Sequence, residues 1–555
     1  MDSQTINGVL YAQMINRATG NLKIHAEEIN NLNVFPIPDG DTGDNMLMTM
    51  MGGSNAIQTP DANLSSMAEI IANGMLLGAR GNSGVILSQF FAGIAIGLKG
   101  LESADTQQLG VAFQRGVKQA YDSVMTPTEG TILTVAKDST NAACATNATS
   151  PLAFIEAFIE EAKQSLARTP DLLPVLKKAG VVDSGGAGLI YIIKGMRQAL
   201  LGDTESIDLH SGNETAKPQL DLNKFTEDSV LEFGYCTEIM LRLQNAKTNP
   251  QEFDVEIIKN FLNTIGNSVV CFKTGTIVKL HVHTMTPDKV LAFCQQFGEF
   301  LTLKIENMSL QHNNLTPKEE DEKLETKVEA EAIEHKQYGV VAVAAGEGIK
   351  QTFKDYGADQ IVDGGQSMNP SAEDFIKAFE KINADTIFVL PNNGNVILSA
   401  KQAAKIYNKA DIRVIETKSI GEGYAVLTMM DTECGNTDEI VENLNFAKEG
   451  VVTYSVSHCV RDAQMDGLTL HSGEYIGFSD KTIVASGKDR KSAALAMIDK
   501  MDFTDHEVCI FIRGKDSLTN ETTELTDYLK SKHPNVEVYN IDGGQDIYSY
   551  ILILE

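Results

Sequence analysis

Three carboxylates, Asp39, Asp41 and Asp44, crowd the stretch Asn33-Val-Phe-Pro-Ile-Pro-Asp-Gly-Asp-Thr-Gly-Asp-Asn-Met46, where two prolines stiffen the approach to a glycine-punctuated turn. Carboxylates so close repel one another unless a hard cation shares their oxygens, and Mg2+ held by one or two of them commonly completes its shell with substrate phosphates. The plainer alternative is an acidic surface turn built from Pro, Gly and Asp. A calcium loop is excluded by ligand spacing. Asp39 and Asp41 imitate its first two positions, but Gly43 stands third, Asp44 replaces the required turn glycine, and Met50 replaces the bidentate Glu.

The acidic motif has company. Gly78-Ala-Arg-Gly-Asn-Ser-Gly84, Thr128-Glu-Gly-Thr131 and Asp183-Ser-Gly-Gly-Ala-Gly188 each precede an apolar helical pattern. Small residues there let backbone amides approach an anion, and a helix N-terminus adds partial positive charge. Taken singly, each is explained by a helix-helix turn. Together, four such loops in one bundle can meet at one end and enclose Mg2+ and a triphosphate. No Walker-type G-x-x-x-x-G-K-[ST] is present, nor a G-x-G-x-x-G following a strand, so any ATP site here is built on helices.

A second constellation lies further on. His281 and His283 are two apart on an expected strand and share a face. Antiparallel pairing would bring that strand's end beside Cys236. Cys-His-His is a competent zinc set with a fourth position open; a polar strand face with one buried thiol is the equal alternative.

The elements that must position these groups fall into three regions, as expected for 555 residues. Residues 1–201 carry apolar residues at three- and four-residue spacing and predict an all-helical bundle, followed by a polar linker over 202–223. Residues 224–312 read β-α-β-β-α-β, the split βαβ order of ferredoxin-like α+β domains. A charge-dense linker over 313–337 leads to an α/β texture in 338–555. There Ile361-Val-Asp-Gly-Gly-Gln366 is echoed by Asn540-Ile-Asp-Gly-Gly-Gln545, consistent with two lobes or with a shared strand-end turn. Asp363-Gly-Gly-Gln-Ser-Met-Asn369 and Pro391-Asn-Asn-Gly-Asn395 each follow an apolar strand and precede a helix, where open sheets bind ligands. Either could form a docking surface as readily as a catalytic one.

The balance of 75 acidic against 46 basic residues, net charge −29, disfavours nonspecific binding to nucleic acid or anionic membrane. Seven scattered cysteines without paired spacing suggest reduced thiols and a cytoplasmic protein. No export signal and no membrane-spanning run is evident in the sequence.

Asn33-Val-Phe-Pro-Ile-Pro-Asp-Gly-Asp-Thr-Gly, Gly78-Ala-Arg-Gly-Asn-Ser-Gly84 and Val182-Asp-Ser-Gly-Gly-Ala-Gly188 resemble the ATP-binding L subunit of bacterial dihydroxyacetone kinase. More closely, they are similar to the catalytic subunit of bacterial fatty acid kinase, a resemblance that extends along the whole chain. It implies a helical bundle or barrel that binds ATP and Mg2+, a middle domain, and a two-lobed DegV-like C-terminal domain. The implied reaction is ATP-dependent phosphorylation of a fatty acid carboxylate to an acyl phosphate, the acid being presented by a separate DegV-like fatty-acid-binding protein. By the same resemblance Asp39 and Asp41 are catalytic Mg2+ ligands. Nucleotide contacts fall at Thr42, Gly43, Asn45, Met46, Ser83, Gly84, Gly130, Thr131, Ser184, Gly185 and Gly186, and Zn2+ ligands at Cys236, His281 and His283. Asn33 or a neighbour stands where the dihydroxyacetone kinase pattern has a third aspartate, and Asp44 replaces the threonine usual in fatty acid kinases; both join the candidate Mg2+ shell. A homodimer is expected, the middle sheet offering edges for it.

The chemistry is compatible from below. A fatty acid carboxylate is ionised at neutral pH, so its phosphorylation needs alignment and charge neutralisation but no general base. Two rival readings remain: a kinase for a small hydroxyl substrate such as dihydroxyacetone, and a non-catalytic lipid-carrier scaffold resting on the α/β lobes.

Overall fold

The computed structural model describes residues 4–34, 37, 40–203, 235–250, 253–274, 276–307, 335–365, 369–432, 435–480 and 482–555. Both expected linkers therefore lie almost wholly outside the described residues, as do Asp39 and residues 366–368. The chain forms two compact units. One joins the helical region to the C-terminal α/β region, and the other is the middle region.

The helical region contains α1 (Gly8–Asn30), α2 (Thr42–Asn55), α3 (Leu64–Gly78), α4 (Gly81–Gly97), α5 (Thr106–Asp122), α6 (Ile132–Ala145), α7 (Pro151–Leu172), the short α8 (Pro174–Ala179) and α9 (Ser184–Leu200). Local chemistry sets their starts: Asn7 caps α1, an Asp105/Gln108 capping box opens α5, and Ser150 followed by Pro151 opens α7. Each long helix packs on its neighbours in sequence, and α9 returns to α1, closing a ring. Its interior is a single apolar cluster in which the Phe113 ring meets Phe90, Phe154 and Phe158 edge-on at 5.4–5.7 Å. The α1–α9 contact is tight because Gly195 lies against the Ala18 backbone, where a side chain would collide. A two-residue pair, β1 (Ile6–Asn7) with β2 (Ser103–Ala104), ties the first helix to the fourth connection. The apolar spacing of this region predicts no strand, so the pair is an addition to the expected all-helical bundle.

The middle unit holds β3 (Tyr235–Leu243), α10 (Glu256–Ile265), β4 (Gly266–Thr274), β5 (Ile277–Thr284), α11 (Pro287–Cys294) and β6 (Gly298–Asn307). Its antiparallel sheet has the order β4-β5-β3-β6. Ile239, Leu241, Val278, Leu280 and Val282 face the two helices and form the core.

In the C-terminal region, β7 (Lys336–Ala344) already begins inside the stretch expected to be linker. With β8 (Gln360–Asp363), β9 (Ala384–Leu390) and β10 (Asp411–Val414) it forms a parallel sheet of order β10-β9-β7-β8, accompanied by α12 (Glu347–Asp355), α13 (Ala372–Phe379), α14 (Ile397–Ile406), α15 (Ile420–Thr428) and α16 (Thr437–Ala447). A second, mixed sheet follows. It contains β11 (Val452–His458), β14 (Tyr475–Ser479), β15 (Thr482–Gly487), β16 (Val508–Arg513), β17 (Glu537–Asp542) and β18 (Tyr548–Leu554), with the small hairpin β12 (Ala463–Met465) and β13 (Leu468–Leu470) and the helices α17 (Arg490–Ile498) and α18 (Thr519–Lys532). The two echoed segments end β8 and β17, each a parallel edge strand. Alternate residues of the two sheets share one core: Val340, Ala342 and Phe388 from the first sheet with Ile510, Ile512, Ile551 and Ile553 from the second. Among the described residues, no helix is long and apolar enough to cross a membrane.

Candidate nucleotide and metal site

The acidic turn runs straight into α2, whose N-cap position is Asp41, yet the Asp41 side chain makes no capping bond to that helix. Asn30, at the end of α1, does the capping instead. Its Oδ1 accepts from the Gly43 and Asp44 amides at 2.7 and 3.4 Å, and its Nδ2 donates to Asp44 Oδ2 at 2.9 Å. Gly43 permits this approach, since a Cβ there would lie 2.2 Å from the Ala26 carbonyl oxygen. Asp44 is exposed, its carboxylate held by Asn30. Asn33 flanks Gly40 and accepts from the Val34 amide at 3.0 Å. Asp41 accepts a hydrogen bond from Asn369 Nδ2, a residue of the α/β region.

The other loops converge on this turn. Ser184 Oγ donates to Thr42 Oγ1 at 3.2 Å, joining the starts of α9 and α2. Asp183 caps α9 through the Gly186 amide at 2.7 Å and also accepts from the Ile132 backbone, joining α9 to the start of α6. Burial pushes the Asp183 carboxyl up to about 6 despite these two bonds. Gly81, at φ +57°, and Gly84 bring α4 onto α2: a Cβ on either would fall 2.4 Å from Asn45 Nδ2 or Thr49 Oγ1 respectively. Arg80, just before α4, donates through Nη1 to the Asn369 carbonyl at 2.9 Å, with Nη2 3.5 Å from Asp374.

Some expected contacts serve other purposes. Met46 is wholly buried and packs where a Gly188 Cβ would stand, so its side chain belongs to the core. The Gly130 amide is already taken by Thr134 Oγ1 at 2.8 Å, and Thr131 caps α6, accepting from the Leu133 amide at 3.4 Å. Beside them, Glu129 accepts from Lys137 at 2.8 Å and Tyr121 at 3.1 Å. Burial raises its carboxyl pKa, but the bonds to Lys137 and Thr134 outweigh that and hold it below the usual carboxylate range. Ser83 lies half-buried in the first turn of α4, while Asn45, Gly84, Gly185 and Gly186 are buried at the helix starts.

Asp39 lies outside the described residues, and so do the side chains of Cys236, His281 and His283. Their backbone register is described: Cys236 pairs with His283 and Glu238 with His281, which brings the four positions together on adjacent strands. Among the described residues, no group of three or more His, Cys, Asp or Glu could by itself hold a metal. Asp41 and the neighbouring Asn33 and Asn369 amides are nonetheless hard oxygen donors of the kind Mg2+ takes. Sequence reasoning missed Asn30 and Asn369. The signal for Asn369 was the strand-end loop it terminates; Asn30 had none beyond its place in an Asn-rich helix end.

Three family models cover the chain: the DAK2 domain over residues 36–198, the FakA-like middle domain of fatty acid kinase over 232–315, and the FakA-like C-terminal domain of fatty acid kinase over 339–555. Protein YloV of Bacillus subtilis is 38% identical over 570 residues, covering 100% of both chains. Among solved structures, the fatty acid kinase B3 protein of Streptococcus pneumoniae, loaded with linoleic acid, aligns with 40% of this chain and 99% of its own at 13% identity and a TM-score of 0.29. The dihydroxyacetone kinase of C. freundii, in complex with AMP-PNP and Mg2+, aligns with 36% of this chain and 34% of its own at 20% identity and a TM-score of 0.28.

Proposed function

Because the chain belongs to the FakA-like fatty acid kinase family, we propose that it transfers the γ-phosphoryl group of ATP to a fatty acid carboxylate, releasing ADP and an acyl phosphate. The observation that carries this reading is the meeting of the starts of α2, α4, α6 and α9 around Asp41. Residues 1–201 are the phosphoryl-transfer domain. Mg2+, when bound, neutralises charge on the phosphate oxygens. Asp39 and Asp41 hold it, with Asn33 beside them, while Asp44 stays with Asn30. The helix starts at Thr42 and Ser184, fixed to each other by their hydroxyls, offer amide dipoles to the nucleotide phosphates. The acceptor carboxylate arrives ionised, so these residues need only align it.

The face shared by the two C-terminal sheets is filled by the protein's own side chains, among them the wholly buried Phe388 and Ile553. That packing supports an acyl tail held by a separate DegV-like fatty-acid-binding protein, docked on residues 338–555, over a lipid-carrier role for this chain. In the middle domain, residues 224–312, we read the sheet as ferredoxin-like and Cys236, His281 and His283 as Zn2+ ligands. The edge strand β6, with exposed Leu301, Leu303 and Ile305, supports a homodimer.

The test is Asp41→Ala in the full chain, supplied with ATP, Mg2+ and an acyl-loaded binding protein. Acyl phosphate formation should fall by about 100-fold or more with the circular dichroism spectrum unchanged. Turnover at the wild-type rate would refute the reading. ATP consumption on dihydroxyacetone, without any lipid carrier, would favour the hydroxyl kinase instead.

A further inference from the structure

Asn369 is 328 residues from Asp41 in sequence and only 1% exposed, yet its Nδ2 donates to the Asp41 carboxylate. The other half of the same amide is anomalous: Oδ1 is buried and has no hydrogen-bond partner. An oxygen so placed costs about 1–3 kcal/mol relative to one with a donor. The fold does not allow it to relax away, because the surrounding backbone is pinned. Arg80 donates to the Asn369 carbonyl at 2.9 Å and pairs with Ser371 in an isolated bridge. Further along the same contact, Gln89 donates to Gln402 Oε1 at 3.0 Å, and Gln402 donates in turn to the Leu76 carbonyl. The second sheet grips the acidic loop from its other end, with Ile37 buried among Cys459, Leu470, Ile476 and Phe478, and Arg461 donating to the Val34 carbonyl.

We propose that Asn369 is an oxygen ligand of the cation at Asp41, supplied by the α/β region to the site on the helical region. This rests on the Mg2+ role assigned to Asp41 above. The terminal amide torsion of Asn has a broad, two-fold profile, so a half-turn exchanges its nitrogen and oxygen at little cost. Without a cation, Nδ2 faces Asp41 and satisfies its carboxylate. With one, Oδ1 faces the metal, as amide oxygens do toward hard divalent ions. The unpartnered oxygen is the vacated half of that exchange. A consequence is that cation loading and the seating of the α/β region on α3 and α4 are energetically coupled.

Mg2+ titration calorimetry on the full chain, with and without AMP-PNP, tests this through affinity rather than turnover. Asn369→Ala should weaken Mg2+ binding about tenfold, within the range seen when metal-site support is removed. It deletes the unmatched oxygen together with one hydrogen bond, so it should fold. Asn369→Asp should tighten Mg2+ binding, because it adds a charged oxygen donor where a mere strut for Asp41 would add repulsion. Asp41→Asn is the control for the underlying reading. If Asp41→Asn abolishes Mg2+ binding while both Asn369 variants bind as wild type, or Asn369→Asp weakens binding as Ala does, the ligand role of Asn369 is overturned alone. If Asp41→Asn binds Mg2+ undiminished, the Mg2+ reading of Asp41 falls, and this inference with it.

Discussion

Asp183 caps α9 with a carboxylate that the fold desolvates, and replacing it with Asn isolates the cost of that charge. Its carboxyl rises from 3.8 to about 6, burial being the cause and the Gly186 and Ile132 backbone bonds opposing it. The native state therefore holds this proton more tightly than the unfolded chain, so the group's contribution to stability is complete below pH 3.8 and is lost as pH rises through about 6. At 1.36 kcal/mol per pH unit, the loss approaches about 3 kcal/mol at pH 8. Asn is as good an N-cap as Asp and keeps an oxygen for the Gly186 amide, so Asp183→Asn should change little at pH 4. At pH 8 it should be more stable than the parent, by up to about 3 kcal/mol less the ~0.5 kcal/mol that a carboxylate gains from the helix dipole. Urea unfolding at the two pH values, in EDTA, gives the difference of differences directly. A variant that is less stable relative to the parent at pH 8 than at pH 4 would refute the desolvation argument.

Two further outcomes follow from the same geometry. Asn30→Ala removes the only described side-chain cap of α2 and should cost about 1–2 kcal/mol in chemical denaturation, with a measurable loss of Mg2+-nucleotide affinity because the acidic turn is no longer tied to α1; an unchanged denaturation midpoint would count against the cap. If the paired positions Cys236 and His283 hold Zn2+, then Cys236→Ser should lower the zinc content of purified protein toward none, read by elemental analysis, while leaving the Mg2+ titration at Asp41 intact. Zinc retained at the parental level would exclude Cys236 as a ligand.

The helices were legible because their information is local. The apolar spacing of Leu109, Ala112, Phe113 and Gly116, with Asp105 and Gln108 in front, specifies α5 without reference to anything else. The strand Tyr235–Leu243 and its hairpin partner were legible for the same reason. What was not legible depends on pairing at a distance. The two-residue β1–β2 contact has no pattern of its own, and β7 enters the charged stretch at Lys336 because a parallel neighbour, Ala384, accepts it there. The α/β region's contact with α3 and α4, made through Gln402, Arg80 and Asn369, joins residues more than three hundred positions apart by complementary surfaces that no window of sequence contains.

The acidic turn makes the same point about function. An Asp immediately before a helix ordinarily spends its carboxylate on that helix's first amides, and a turn with no other duty would let Asp41 do so. Here the amides of Gly43 and Asp44 are satisfied by Asn30 from another helix, and the Asp41 carboxylate is met by a neutral amide from another region of the chain. Separating the cap from the carboxylate adds a second polar residue and a tight approach at Gly43, which a simple surface turn does not need. A cation site does need it, because a carboxylate committed to backbone amides has fewer lone pairs left for a metal. The placement of Asn30 therefore favours the Mg2+ reading of Asp41 over the acidic-turn reading, on grounds independent of the motif itself.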